Sequence, residues 1–233
     1  MKHAKTFKIR ASQASKIMGA RGLGETGKSY CKQWLKEKQY NRQVGVFSSK
    51  YTAKGNQKED DGIKLVARYL NLDFAIKNEE FYTSEYMQGT PDVVQPNEIW
   101  DLKTSWSLDT FPIYETDLKS QSLKSYYWQG QVYMLLTNRT QYLLCYTLQD
   151  TPIDLVNRDA MRYCYDNSME LTPEIEQEFI ERHTYSNLND DERVKIFQFN
   201  RNEDDINLII DRVKECREII KEIETNNKNI IQL

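Results

Sequence analysis

The chain has 233 residues, with 32 Lys+Arg against 35 Asp+Glu, 39% hydrophobic and 12% aromatic residues, the profile of an ordinary globular protein. No window approaches a membrane span, and the start MKHAKTFKIR lacks an apolar core, so a cytoplasmic protein without signal peptide or membrane segment is expected. Cys31, Cys145, Cys164 and Cys216 are scattered without a CxxC, and the only histidines are His3 and His183, so zinc, iron–sulfur and histidine chemistry are poorly supplied. Chemistry must run on carboxylates, lysines and amides.

The net charge of -3 hides an asymmetry: residues 1–58 carry 14 Lys/Arg against Glu25 and Glu37, a local +12, and residues 59–233 carry -15. Such a block reads either as a polyanion-binding segment or as a solvated lysine-rich face. A single domain is expected, with a basic N-terminal part over 1–58, a core over 59–150 and an acidic closing part over 151–225.

Taken in chain order, 12–18 predicts a short helix capped by Ser12, with Ala14, Ile17 and Met18 at helical spacing. A Gly-rich loop, GARGLGETGKS, follows over 19–29, and 30–38 reads as helix. That loop contains a full GxxxxGK[ST] match from Gly22 to Ser29, but a phosphate-cradling loop needs a hydrophobic strand before it. SQASKIMGAR is helical and polar, which argues against an ATP site and for a DNA-contacting loop. In 56–70, Ile63, Val66, Ala67 and Leu70 recur at i, i+3, i+4 and i+7, an amphipathic helix with Glu59 one turn before the apolar stripe. Glu59 is placed either for chemistry beside the buried face or simply to favour the helix dipole.

The period then changes to that of strands at 74–76, 80–83, 89–94 and 99–104, an expected antiparallel meander. SLKSYYWQGQVYMLLT at 122–137 predicts a buried helix, and QYLLCYTL at 141–148 a strand. Acidic helices, among them 173–183, a strand at 194–199 and a long amphipathic helix at 203–224 complete the chain, with 226–233 expected to fray.

The segment GTPDVVQPNEIWDLKTSW carries the chemistry. Asp101 and Lys103 lie two apart on one strand and so share a face, and a hairpin brings Asp92 beside them. Carboxylates gathered among Val93, Val94, Ile99 and Trp100 call for a divalent cation, with Lys103 placed to orient a water or neutralise phosphate charge. The bland alternative is an Asp101–Lys103 ion pair on an exposed strand.

GTPD followed by a strand ending DLK resembles the PD-(D/E)XK nuclease superfamily, and Gln129 to Tyr133 match the Q-x-x-x-Y of its RecB-like branch. Four ordered blocks, RASQASKIMG, KGNQKEDDGIKLVARYL, GTPDVVQPNEIWDLKTS and YYWQGQVYMLLTN, narrow the resemblance to the phage lambda exonuclease, or YqaJ-like, family. The resemblance implies an α/β fold, a mixed central sheet flanked by helices with a long C-terminal helix. It implies Glu59, Asp92 and Asp101 as metal ligands, Lys103 as the catalytic lysine and Gln131 as a further catalytic residue. It places Ser12, Gln129 and the cations Lys5, Lys8 and Arg10 at the DNA 5'-phosphate. It implies a two-ion Mg2+ cofactor, with Mn2+ able to substitute, and 5'-to-3' digestion of double-stranded DNA ends to mononucleotides. The 3' overhang left behind would serve phage-type recombination. A homotrimeric ring and a single-strand annealing partner complete what the family implies. Asp101 departs from the glutamate common in the family, which bears on metal preference. A RecB- or Cas4-like nuclease, a restriction-type endonuclease and a non-catalytic DNA-end-binding module are the competing readings; the cysteines do not fit a Cas4 cluster.

Overall fold

The computed structural model describes residues 3–45 and 49–226. The chain enters through a short strand, β1 (Ile9–Arg10), which turns directly into a 3-10 helix, Ala11–Ile17. Ser12 does not cap it. Arg10 is the extended flanking residue, so Ser12 falls inside the first turn, exposed, where its hydroxyl accepts only from Gln13 at 3.4 Å. Helix α1 (Gly24–Tyr40) begins six residues earlier than its apolar pattern suggested, takes in half of the expected Gly-rich loop, and stops at Asn41 in the left-handed region. No strand precedes it, and Lys28 is paired with Glu25 at 3.0 Å, so the GxxxxGKS match is not a phosphate loop. Helix α2 (Lys50–Tyr69) is capped by the Ser49 hydroxyl on the Thr52 N–H and buries Ile63, Leu65, Val66 and Ala67.

The expected meander is split between two sheets. β2 (Tyr82–Thr83) and β3 (Met87–Gly89) join β1 in a small sheet ordered β1-β3-β2, with β1 parallel to β3. β4 (Val93–Val94) instead pairs antiparallel with β5 (Glu98–Ser105). The predicted 89–94 strand breaks at Thr90–Pro91–Asp92, where proline has no N–H to give a ladder. Phe74 and Ile76 are exposed and form no strand; the pairing nearby is a single bridge from Lys77 to Val93.

α3 (Ser120–Thr137) is the crossover that lets β6 (Gln141–Leu148) lie parallel to β5, in register from Glu98 opposite Gln141 to Ser105 opposite Leu148. α4 (Ile153–Asp166), α5 (Pro173–Arg182) and the short α6 (Asp190–Arg193) lead to β7 (Val194–Asn200), antiparallel to β6. The second sheet is thus ordered β4-β5-β6-β7. α7 (Glu203–Asn226) closes the chain, and the expectation for 227–233 lies outside the described residues.

The sheet divides the core in two. Ile99, Tyr142 and Leu144 pack with Val132 and Met134 of α3, and beyond them with α1 and α7. Trp100, Leu102, Leu143 and Cys145 pack on the other side with Ile63 and Val66 of α2. Each fully buried aliphatic or aromatic side chain stabilises by about 1.5–3 kcal/mol. Because successive strand residues alternate, Asp101 and Lys103 share the α3 side with Ile99. The fold is a mixed sheet with helices on both faces and a long C-terminal helix, and no described helix is long and apolar enough to cross a membrane.

Candidate active site

The break at Pro91 positions Asp92 at the edge of β5. Its Oδ2 accepts the Leu102 N–H at 2.6 Å, which fixes the carboxylate beside Asp101 in continuation of the Val93–Trp100 register. Burial first, and the Asp101 charge second, push the Asp92 carboxyl up to about 7.

Asp101 is buried at 2% exposure. Its Oδ1 accepts from Gln129 Nε2 at 2.8 Å; its Oδ2 is enclosed, in no well-directed hydrogen bond, with the Lys103 ammonium against it as an ion pair. Burial disfavours the Lys103 charge, but Asp101 and Asp92 outweigh it and hold the ammonium above its ordinary value. Lys103 therefore stays protonated at neutral pH. Its Nζ lies 5.3 Å from the Tyr126 ring centre.

Gln129 is held in turn. Its amide also reaches Tyr133 Oη at 3.3 Å, and the Tyr133 hydroxyl donates to the Thr90 carbonyl at 3.0 Å, two residues before Asp92. The hydrogen bonds run in a ring from Asp101 through α3 and back to the Asp92 loop. Gly130 is required here because a side chain on it would enter the ring of Tyr142 beneath.

Gln131 is not at this site. Two residues from Gln129 it points to the other side of α3, where its amide donates to Asn200 O at 2.8 Å and accepts the Asn202 N–H at 2.9 Å. It ties α3 to the β7–α7 junction. Glu59 stands on α2, across the sheet, and its carboxylate is taken by Lys77 at 3.0 Å. Its charge still contributes to raising Asp92, so it lies at the rim of the pair rather than within it.

The N-terminal residues reach the site from the α3 side. A side chain on Gly89 would meet Ala11 Cβ at 3.0 Å and Tyr133 at 2.8 Å, so the first turn of the 3-10 helix abuts the residues that hold Gln129. Ser12, Arg10 and Lys5 are exposed, while Lys8 donates to Thr83 Oγ1 at 2.8 Å. Residue patterns alone missed Tyr126 as a neighbour of Lys103. Its signal was the spacing of Tyr126, Gln129, Gly130 and Tyr133 at i, i+3, i+4 and i+7, one face of α3.

The oxygen donors suit a hard divalent cation. Two adjacent carboxylates, one with a raised value and one with an enclosed oxygen lacking a directed partner, are only half neutralised by Lys103. Among the described residues no group of three His/Cys/Asp/Glu converges to hold a metal, so Glu59, Asp92 and Asp101 are not gathered into one three-carboxylate set here. Lys103, Tyr126 and Tyr146 line a cleft of about 440 Å³, open to solvent, that reaches Tyr51 and Trp106.

No family model matches the chain, and no curated protein sequence is similar to it. Solved structures are. A phage-related exonuclease from Haemophilus somnus 129PT is 26% identical with a TM-score of 0.75, over 94% of this chain and 96% of that one. An alkaline exonuclease from Laribacter hongkongensis shares the fold at 16% identity with a TM-score of 0.58, over 95% of this chain and 92% of that one. Its complex with dAMP matches alike, at 16% identity and a TM-score of 0.59 over 94% and 90%. Fold and motifs together define a PD-(D/E)XK nuclease core. Within it, the chain is similar to the phage-related exonuclease, as the resemblance of its motifs to the phage lambda exonuclease, or YqaJ-like, family leads one to expect.

Proposed function

We propose that the protein is a metal-dependent DNA exonuclease that degrades linear duplexes from the 5' end, releasing mononucleotides and leaving a 3' single strand. The observation that carries this reading is the convergence of Asp92, Asp101 and Lys103, with Asp101 held by Gln129 and Lys103 lining an open cleft. The exonuclease neighbours support it as the reaction class.

Asp92 and Asp101 would hold Mg2+, or Mn2+ in its place, with Glu59 reaching the site once released from Lys77. When bound, the cation supplies Lewis acidity and lowers the pKa of a coordinated water. Gln129 fixes the Asp101 carboxylate by its bond to Oδ1 and leaves Oδ2 against the Lys103 ammonium. Lys103, held as the ammonium, orients the attacking water and neutralises charge developing on the phosphate rather than acting as the base. Tyr126 and Tyr146 offer ring faces to the nucleotide beside the scissile bond. Ser12, with Arg10 or Lys5, would receive the 5'-phosphate, and Lys8 would join them only by leaving Thr83. A ring of three copies around the duplex and a single-strand annealing partner would follow from the family.

Digestion of linear duplex labelled at either 5' or 3' end, beside closed circular DNA, with Mg2+ or with chelator, tests this. The 5' label should leave as mononucleotide, only with Mg2+, while the circle stays closed. Opening of the circle, or first release of the 3' label, would contradict the reading.

A further inference from the structure

The charge asymmetry of the chain is not used up by the catalytic cleft. Beyond residue 59 many surface arginines are neutralised where they stand: Arg68 by Asp190 at 2.8 Å, Arg158 by Asp154 at 2.6 Å, Arg212 by Glu215 at 2.6 Å. Helix α1 differs. Lys28, Lys32 and Lys36 fall at i, i+4 and i+8 on its exposed side, about 6 Å apart along the axis, opposite the buried Tyr30 and Trp34. Lys28 is paired with Glu25, whereas Lys32 and Lys36 make no ion pair among the described residues. Glu37, the other acid of the helix, accepts instead from Gln33 at 3.0 Å and from the Val44 N–H at 3.3 Å. Like charges at i, i+4 oppose helix formation by a few tenths of a kcal/mol. Here Glu25 acts on Lys32 only through space, and neither Lys32 nor Lys36 has an ion-pair partner among the described residues.

The stripe is connected to the site. Lys16 of the 3-10 helix stands 5.3 Å over the Tyr30 ring of α1, and Ser15 of the same 3-10 helix meets Ser125 of α3 at 3.2 Å, one turn before Gln129. Beside the lysines α1 exposes Ser29, Gln39 and, at its last residue, Tyr40, a single aromatic rather than the apolar stripe that a lipid surface would need. A lysine-rich face without a desolvated apolar centre is also unlike a protein interface.

We infer that the exposed face of α1, through Lys32 and Lys36, binds the phosphate backbone of duplex DNA behind the end being cut. This rests on the nuclease reading and adds a second contact surface to it. Such contacts position the substrate without reading its sequence.

The test is equilibrium binding of a 5'-phosphorylated blunt duplex to the full chain in chelator, measured across salt concentrations. Each phosphate contact contributes a slope of about 0.9 in log affinity against log salt. The double variant Lys32→Gln, Lys36→Gln should lose close to two units of that slope, and Lys214→Gln, Lys221→Gln on α7, where both lysines are paired, should lose none. An unchanged slope in the α1 variant, or an equal loss in the α7 variant, overturns the surface while duplex binding by the parent leaves the nuclease reading standing. A parent that binds no duplex at any salt concentration, but binds RNA or anionic vesicles, overturns both.

Discussion

Gln129 donates to Asp101 across 2.8 Å, joining the crossover helix to the strand that carries the DLK segment, 28 residues away in sequence. A carboxylate bound on one oxygen by an amide loses its freedom to rotate. Gln129 thus acts on orientation, and Gln131, on the opposite side of α3, acts on stability.

The two glutamines should separate in mutation. Gln129→Leu is expected to lower the cleavage rate per folded molecule at least about tenfold, and it also strands the Asp101 carboxylate oxygen at a cost of about 1–3 kcal/mol. Gln131→Leu strands the Asn202 N–H and the Asn200 carbonyl, a cost of about 2 kcal/mol or more, with activity per folded molecule kept. Melting curves beside specific activity check both, and equal activity per folded molecule in the pair would contradict the assignment.

Asp92 predicts a pH dependence. Its folded value, about 7, lies above its unfolded one, so its contribution to stability is full below about pH 4 and is lost as pH rises through 7. The metal-free protein should weaken over that window through this group. Mg2+ requires the ionised carboxylate, so it should raise Tm more at about pH 8 than at about pH 6, and Asp92→Asn should remove the difference. Thermal melts with chelator and with Mg2+ measure it.

Lys54 has the opposite sign. It is fully buried on α2, donates to the Trp106 carbonyl at 2.9 Å, and burial pushes its ammonium down to about 7. Its contribution is full above the ordinary lysine value, about 10.4, and is lost as pH falls through 7. Lys54→Met removes the dependence, so the Tm of the variant relative to the parent should grow as pH drops from about 10 to about 7. A constant difference would mean that Lys54 is not held as described.

Gly130→Ala places a methyl group into the Tyr142 ring and should destabilise by about 1–3 kcal/mol. Denaturant unfolding measures it, and Tyr142→Leu in the same chain should recover part of the loss.

Helical periodicity carried much of this molecule. α3 and α7 appear close to where their apolar spacing put them, and the parity of Asp101 and Lys103 was readable because strand side chains alternate. What failed is instructive in physical terms. Lys50 to Gly55 has no apolar repeat, since Lys54 turns inward to a carbonyl rather than to an apolar neighbour, so the start of α2 was hidden. The strand through Pro91 could not be split between sheets from pattern alone, because the residues on either side are equally strand-like. Ser12 looked like a cap by residue type, but the chain enters the turn at Arg10. QGQ offered two equivalent amides, and only the 200° between them on the helix decides which meets Asp101.

The central claim is that Asp92, Asp101 and Lys103 form a metal-dependent hydrolytic site. The most direct measurement is mononucleotide release from 5'-phosphorylated linear duplex with saturating Mg2+, comparing the parent with Lys103→Ala and Asp101→Asn of matched thermal stability. Each variant is expected to lose about a hundredfold or more in rate, with release by the parent abolished by chelator. Release by either variant at the parental rate, or by the parent in chelator, would contradict it.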